Sequence, residues 1–246
     1  MDFNKALESL GVNDEILSQA EKDQLITEGY LIFEDILNEE TVIKVNKIID
    51  SIFEKEGEES GKEYYHEEGT HRLAELYNKD AIFDQIYAHP KILAAAYFIL
   101  KQAFHLNLLN VRDVYKGTGE QSYHVDWGTR KDNTLAHAVN SIWMLDDFTK
   151  DNGATKVIPR THNLDIPSMY DIKDFQNKEV QITGKAGSVL VFNAHLWHRG
   201  TENKTNKRRR CIHNFYCVAS SNRKIVLTPS IIESKEEKLL HILGEY

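Results

Sequence analysis

Cysteines are scarce in this sequence, and no hydrophobic run is long. Two cysteines in 246 residues exclude a disulfide-stapled scaffold and suit a reducing compartment. Cys211 and Cys217 fall in one predicted strand, too far apart to bond with each other. The longest unbroken apolar run covers residues 92–100, whereas a bilayer span needs about 20 residues. With no signal-peptide pattern at residues 1–5, we expect a cytoplasmic protein without a membrane span.

Positive charge is also in short supply. The chain has 30 basic and 38 acidic residues, a formal net charge of −8. This balance argues against nucleic acid as the main partner. The 41% hydrophobic and 10% aromatic content is that of an ordinary globular protein. A chain of 246 residues is long enough to bury a sizeable core.

The N-terminal part of the chain, residues 1–105, has mostly helical periodicity. Asn38 is a predicted N-cap, and apolar residues recur at helical spacing from Val42 to Ile52. The pair His89-Pro90 predicts the start of another helix that ends near Leu100. The acidic, glycine-containing segment 54–68 has no period, so it is predicted to be a loop.

The segment from about 106 to 220 consists of short β-rich runs separated by turn signals. Such a pattern is typical of a sandwich or barrel. A final helix is predicted over residues 229–243, and one domain with helices outside a β core accounts for the whole chain. The predicted strands are 106–115, 121–127, 139–145, 155–158, 180–182, 188–193 and 210–218.

The triplet His124-Val125-Asp126 lies in one of these runs. Residues two apart in a strand face the same side, so His124 and Asp126 can reach one metal ion together. Two histidines and one carboxylate leave three metal positions open, which suits Fe(II) that must bind a co-substrate and O₂. Alone, such a triplet is more often a surface histidine beside a strand aspartate.

A second histidine ligand is expected from the apolar strand 188–193 and the residues that follow it. His195 and His198 are both candidates. His198 lies where a ligand would face the mouth of the β core. His195 precedes it by three positions and would point elsewhere in a regular strand.

An arginine triplet follows, at Arg208, Arg209 and Arg210. Arginine binds a carboxylate through a two-pronged hydrogen bond. In a strand Arg209 points to one side and its two neighbours to the other. One side can therefore serve the site, while the other is expected to meet solvent.

Taken together, these segments resemble the phytanoyl-CoA dioxygenase family of Fe(II)/2-oxoglutarate oxygenases, from about residue 29 to residue 218. This resemblance implies a mainly β fold, the double-stranded β-helix or jelly roll, with helices packed on one sheet. It also implies Fe(II), with 2-oxoglutarate as co-substrate and O₂. The matching segments are 124–126, 143–149, 151–155, 157–162, 187–192 and 197–200, followed by Asn203 and the arginines.

The resemblance also assigns roles to residues. His124, Asp126 and His198 match the iron ligands. Arg209, which follows His198 by eleven positions, matches the arginine that binds 2-oxoglutarate, and Arg208 is the alternative register. Trp143 and Asn107 are expected to contact the co-substrate. Two departures from the family pattern, Arg160 and Ser188, affect turns rather than the expected chemistry.

By the same resemblance, the reaction is hydroxylation of a substrate with release of succinate and CO₂. Polar residues in two loops predict a small polar metabolite, and the loop over residues 54–72 is expected to close over the site. The candidate substrate contacts are Tyr64, Tyr65, Arg72 and Arg130. The alternatives are a non-catalytic or 2-oxoglutarate-independent cupin-like metal protein, and a nucleic-acid demethylase, which the net charge disfavours.

Overall fold

A computed structural model describes residues 1–63, 69–128, 135–166, 168, 170–223 and 225–245. The helices are α1 (Phe3–Ser9), α2 (Gln19–Glu28), α3 (Glu39–Glu56), α4 (Asp84–Tyr87), α5 (Pro90–Leu100), α6 (Pro229–Ser234) and α7 (Glu237–Ile242). The strands are β1 (Tyr30–Phe33), β2 (Thr70–Leu73), β3 (Phe104–Val114), β4 (Ala138–Met144), β5 (Lys156–Val157), β6 (Val180–Gln181), β7 (Val189–Asn193), β8 (His198–Arg199) and β9 (Arg209–Val218).

Two antiparallel sheets form the β core. The main sheet has the strand order β1-β7-β4-β9-β3-β2, and the smaller sheet has the order β6-β5-β8. Between them, Ile142, Leu190 and Phe192 of the main sheet share an apolar cluster with Val157 of the smaller one. This arrangement, with helices on the outer face of the main sheet, is the predicted jelly roll.

Helices cover the other face of the main sheet. Val139 and Trp143 of β4 and Ile212 and Tyr216 of β9 belong to the same apolar cluster as buried residues of α3 and α5. Because β4 is enclosed between helices and the smaller sheet, each of its residues is buried. Period-two alternation of polarity is therefore absent from this strand.

Helix α3 begins as its sequence predicts. The side-chain oxygen of Asn38 accepts a hydrogen bond from the backbone N–H of Thr41 at 2.8 Å. Its buried residues recur every three or four positions, at Val42, Val45, Ile49 and Ile52. Likewise, α5 begins at Pro90, where the missing N–H costs no hydrogen bond.

Three local predictions are wrong. Residues 121–127 form no regular strand. Their backbone N–H groups donate instead to the carbonyls of Ala194, His198 and Gly200, around a turn, and His124 makes an isolated β-bridge to His198. Arg72, assigned to a loop, lies in edge strand β2, which pairs with β3. The tail forms α6 and α7 because the backbone is extended at Lys235 between them.

Cys211 and Cys217 are free and buried. Among the described residues, no helix has both the length and the apolar character that crossing a membrane would require.

Candidate metal centre and active-site cavity

His124, Asp126 and His198 come together as the sequence predicts. Their ligand atoms lie within 4.8 Å of one another. The Asp126 Oδ1 atom is 3.7 Å from His124 Nε2 and 3.6 Å from His198 Nε2. Ligand atoms about 2.1 Å from one metal can be at most about 4.2 Å apart, so Asp126 fits a shared ion with either histidine. His198 is buried, whereas the other two side chains are partly exposed to the cavity.

Hydrogen bonds to backbone carbonyls fix both imidazole rings. Nδ1 of His124 lies 2.9 Å from the Ser122 carbonyl, and Nδ1 of His198 lies 2.9 Å from the Leu196 carbonyl. A carbonyl only accepts, so each Nδ1 carries the proton and each Nε2 offers a lone pair. The chain thus sets the tautomer that a metal ligand needs.

The carboxylate is oriented in the same way. Asn140 of β4 donates a hydrogen bond from Nδ2 to Asp126 Oδ2 at 2.8 Å. Oδ2 is held by the main sheet, which leaves Oδ1 directed at the two histidines. Asp126 therefore presents one oxygen to the metal position, as a monodentate ligand does.

Backbone pairing joins the segments that carry the ligands. The N–H of His124 donates to the carbonyl of His198 at 2.9 Å, and the N–H of His198 donates back at 3.0 Å. The N–H of Asp126 donates to the carbonyl of Ala194 at 2.9 Å. The relative position of all three ligands is thus built into main-chain hydrogen bonds.

Side chains on the outer side of this pairing form a clamp of Tyr123, Lys156, Glu179 and Arg199. Glu179 accepts hydrogen bonds from Tyr123 Oη and Lys156 Nζ, and Arg199 Nη2 lies 3.4 Å from it. The Arg199 guanidinium also lies 5.0 Å from the centre of the Tyr123 ring. Burial raises the pKa of Glu179, but its hydrogen bonds from Lys156 and Tyr123 outweigh that effect, so the pKa is lowered.

His195 is directed away from this group. Its Nδ1 lies 2.7 Å from the carbonyl of Gly128, and its Nε2 lies 3.4 Å from the backbone nitrogen of His137. The geometry therefore favours His198 over His195 as the third ligand. Burial lowers the pKa of His198 to about 4 although Asp126 opposes the shift. The ring is thus neutral near pH 7, as a ligand must be.

A cavity of about 470 Å³ opens beside the three ligands. Its size lies within the range of about 300–1,000 Å³ that is usual for small-molecule sites. Asn107 and Arg72, both predicted from the sequence, are among its lining residues. The candidates Tyr64, Tyr65 and Arg130 lie outside the described residues.

Arg209 faces inward, as expected, but lies behind the cavity wall. Its Nη2 donates to the Gly153 carbonyl at 2.8 Å, and its guanidinium lies 4.6 Å from the centre of the Phe148 ring. Its buried Nε has no hydrogen-bond partner among the described residues. Asn203 shapes the turn before β9, since its Nδ2 donates to the Val114 and Lys207 carbonyls at 3.0 and 2.8 Å.

The structure corrects the expectations for Trp143 and Arg210. Trp143 lies in the helix-facing core, with its Nε1 donating to Ser141 Oγ at 3.2 Å, because alternate residues of β4 face away from the cavity. Arg210 does not meet solvent. It lies beneath α3 and forms two 2.7 Å hydrogen bonds to Asp113. Arg208 remains partly exposed and lies 3.2 Å from Asp50.

Sequence reasoning missed several polar residues that line the cavity, among them Arg112 of β3, Asn140 of β4 and His213 of β9. The available signal was a polar or charged residue inside a strand that is otherwise buried. Burial lowers the pKa of His213 well below its usual value, and the charges of Arg112, Arg72 and Arg209 add to this effect. His213 is thus a neutral group in a cationic part of the cavity.

A jelly roll that carries two histidines and one carboxylate beside an open cavity defines the class of non-haem Fe(II) oxygenases. The sequence profile of the phytanoyl-CoA dioxygenase family matches residues 26–211. The chain therefore belongs to this family, and it is an Fe(II)- and 2-oxoglutarate-dependent oxidoreductase with O₂ as the other co-substrate.

Individual relatives are distant. The uncharacterized protein Rv1501 of Mycobacterium tuberculosis is 26% identical over 95% of this chain and 89% of its own length. EctD from S. alaskensis with bound Fe has a TM-score of 0.74 at 19% identity, over 90% of this chain and 85% of that one. HygX from Streptomyces hygroscopicus, with nickel and 2-oxoglutarate bound, has a TM-score of 0.71 at 13% identity, over 84% of this chain and 89% of that one. At these identities the structural matches show a shared fold.

Proposed function

We propose that the chain hydroxylates a small polar metabolite and converts 2-oxoglutarate to succinate and CO₂. The observation that carries this proposal is the group of His124, Asp126 and His198 at the mouth of a cavity of small-molecule size. Iron bound there would supply the activation of O₂. EctD has been crystallised with 2-oxoglutarate and 5-hydroxyectoine, a small polar compound, which supports a substrate of this kind.

In this proposal, the residues of the chain bind and orient the reactants. His124, Asp126 and His198 hold the metal, and Asn140 holds the Asp126 carboxylate in its single-oxygen orientation. Arg209 binds the far carboxylate of 2-oxoglutarate. Its side chain is buried and faces inward, and its Nε has no hydrogen-bond partner in the part of the chain that the structure describes, which supports that role. Asn107 lines the same cavity and is the weaker candidate for contact with the co-substrate.

Succinate formation from 2-oxoglutarate by the Fe(II)-loaded protein tests the reaction class. The wild type should form succinate, and His198→Ala should lose this activity. His195→Gln is the matched control, because His195 lies three residues before His198 but faces away from the ligands. Binding of metal without any succinate formation would favour the cupin-like alternative. An active His198→Ala together with an inactive His195→Gln would show that the ligand assignment is wrong.

The role of Arg209 has a separate test. Loss of a charge-assisted contact typically costs about 2–5 kcal/mol when the partner charge stays buried. Arg209→Ala should therefore raise the apparent constant for 2-oxoglutarate by well over tenfold. Arg208→Ala should change it little, since Arg208 contacts Asp50 at the surface. Equal effects of the two substitutions would contradict the assignment.

A further inference from the structure

Asn110 of β3 places a buried hydrogen-bond donor at the cavity wall. It lines the cavity, and only 3% of its surface is exposed. Its Oδ1 accepts a hydrogen bond from the backbone N–H of Glu75 at 3.3 Å. Since that N–H can only donate, the bond fixes which end of the amide carries the oxygen. The Nδ2 group at the other end has no partner in the part of the chain that the structure describes.

The residue that orients this amide has a strained backbone. Glu75 lies in the left-handed region, with a φ of 53°, and it also lines the cavity. Residues other than glycine rarely adopt this conformation, and those that do are concentrated at ligand-binding and active sites. Burial of an unpaired donor also costs stability. Both costs fall on one contact at the cavity wall, where a bound ligand would supply the missing acceptor.

His213 of β9 stands directly opposite Asn110 in the register of the main sheet and lines the same cavity. Directly opposite side chains of an antiparallel pair have Cβ atoms about 4.5–5.5 Å apart, so one small group can contact both. Because burial lowers the pKa of His213 well below its usual value, the ring is neutral. A neutral imidazole has one N–H group and one lone pair. Asn110 therefore offers a donor, and His213 beside it can offer an acceptor.

Apolar side chains border this polar pair. Ile142 of β4 lies opposite His213 on its other side and lines the cavity. Phe215 follows His213 by two positions in β9, so it faces the same side of the sheet, and it lines the cavity as well. The surroundings suit a polar group that is attached to a hydrocarbon skeleton.

We propose that Asn110 and His213 together bind a hydroxyl group of the substrate to be oxidised, with Asn110 Nδ2 donating to the hydroxyl oxygen and His213 accepting the hydroxyl hydrogen. This inference rests on the proposed function, in which the substrate is a small polar metabolite. A hydroxyl group is a donor and an acceptor at once, so a single neutral group satisfies both residues. The pair would determine specificity, because an analogue without the hydroxyl leaves buried polar groups unpaired.

Cyclopentanol and tetrahydropyran serve as probes of this site. They are isomers, and the ether oxygen of tetrahydropyran accepts a hydrogen bond but cannot donate one. Binding is measured by NMR titration of the Zn(II)-loaded protein, through the Asn110 amide and His213 ring signals, with and without saturating 2-oxoglutarate. The wild type should bind cyclopentanol about three- to tenfold more tightly than tetrahydropyran, the effect of one hydrogen bond. Saturating 2-oxoglutarate should leave this preference unchanged.

The two residues should respond differently to substitution. His213→Phe removes the acceptor, so it should weaken cyclopentanol alone and abolish the preference between the probes. Asn110→Leu removes the donor that both probes use, so it should weaken both about three- to tenfold and keep the preference. A general loss of folding cannot produce this split.

Three further variants guard against effects on folding. Asn110→Asp keeps the oxygen that accepts the Glu75 N–H but lacks the donor, and it should also weaken both probes. His213→Gln retains an acceptor and should keep part of the preference for cyclopentanol. Asn177→Leu changes an exposed asparagine outside the cavity lining and should bind both probes as the wild type does.

Four results would overturn the proposal. The wild type could fail to bind cyclopentanol, or it could bind both probes equally. His213→Phe could retain the full preference. Competition between the probes and 2-oxoglutarate would assign Asn110 and His213 to the co-substrate instead. Failure of the proposed function is distinguished by its own readout, succinate formation, because probe binding requires no turnover.

Discussion

The ion pair between Arg210 and Asp113 leads to the sharpest prediction about stability. Both side chains are 1% exposed, and two hydrogen bonds of 2.7 Å join them. Removal of one partner from such a pair costs about 3–5 kcal/mol, because the other charge stays buried. Arg210 keeps a second carboxylate, Asp50 at 2.8 Å, which is half exposed. We therefore expect Asp113→Asn to lower the free energy of unfolding by about 3 kcal/mol, the lower end of that range.

The assay is unfolding by denaturant and by heat. For a chain of this size, 1 kcal/mol corresponds to about 2–4 °C, so the melting temperature of Asp113→Asn should fall by about 6–12 °C. Asp50→Asn is the matched control and should cost less than about 1 kcal/mol, because exposed pairs contribute little. The double variant Asp113→Leu/Arg210→Met should be more stable than Asp113→Asn, since no charge is left buried. A loss under about 1 kcal/mol for Asp113→Asn, or an equal loss for Asp50→Asn, would refute this reasoning.

Three shorter predictions concern the metal centre and its surroundings. Asn140→Ala should weaken Fe(II) binding in a metal titration by about 10–100-fold, because Asp126 loses the partner that orients it; unchanged affinity would contradict that role. Gly200→Ala should lower the free energy of unfolding by about 1–3 kcal/mol, since its new Cβ would lie 2.5 Å from the Gly119 carbonyl oxygen; an unchanged melting temperature would count against it. The lowered pKa of Glu179 stabilises the fold above the unfolded value of about 4.3, and this contribution is lost as the pH falls through the folded pKa. Glu179→Gln should thus lower the melting temperature at pH 7 and much less near pH 3, and an equal deficit at both would contradict the assignment.

Local chemistry in the sequence predicted much of the fold. The N-cap at Asn38, the proline at the start of α5 and the β-rich runs of the second half other than 121–127 correspond to elements of the structure. These features depend on a few neighbouring residues, which is why one sequence suffices. The strand predicted at residues 121–127 was wrong because its geometry depends on distant residues: their backbone partners lie more than 60 positions away, at residues 194–200.

The site was predictable where spacing alone decides the geometry. His124 and Asp126 lie two positions apart, and His198 follows shortly after a predicted strand. All three could therefore be proposed as metal ligands before any contact was known. Trp143 was misplaced because β4 is buried on both faces, and its sequence does not show which residues face the cavity. Arg210 was misplaced because its burial depends on α3, which is distant in the chain.

The reciprocal hydrogen bonds between His124 and His198 bear on how the protein acquires its metal. Because the main chain already holds the ligand segments together, ligand placement is completed during folding, and metal binding need not contribute folding energy. The protein should therefore fold first and load its ion afterwards. Such a preformed site of nitrogen and oxygen ligands also accepts Co(II), Ni(II) or Cu(II), which bind more tightly than Fe(II) in the usual order of divalent ions. Iron occupancy would then be set by which metals the cell supplies, and a preparation from metal-rich medium would carry a mixture of ions in one unchanged fold.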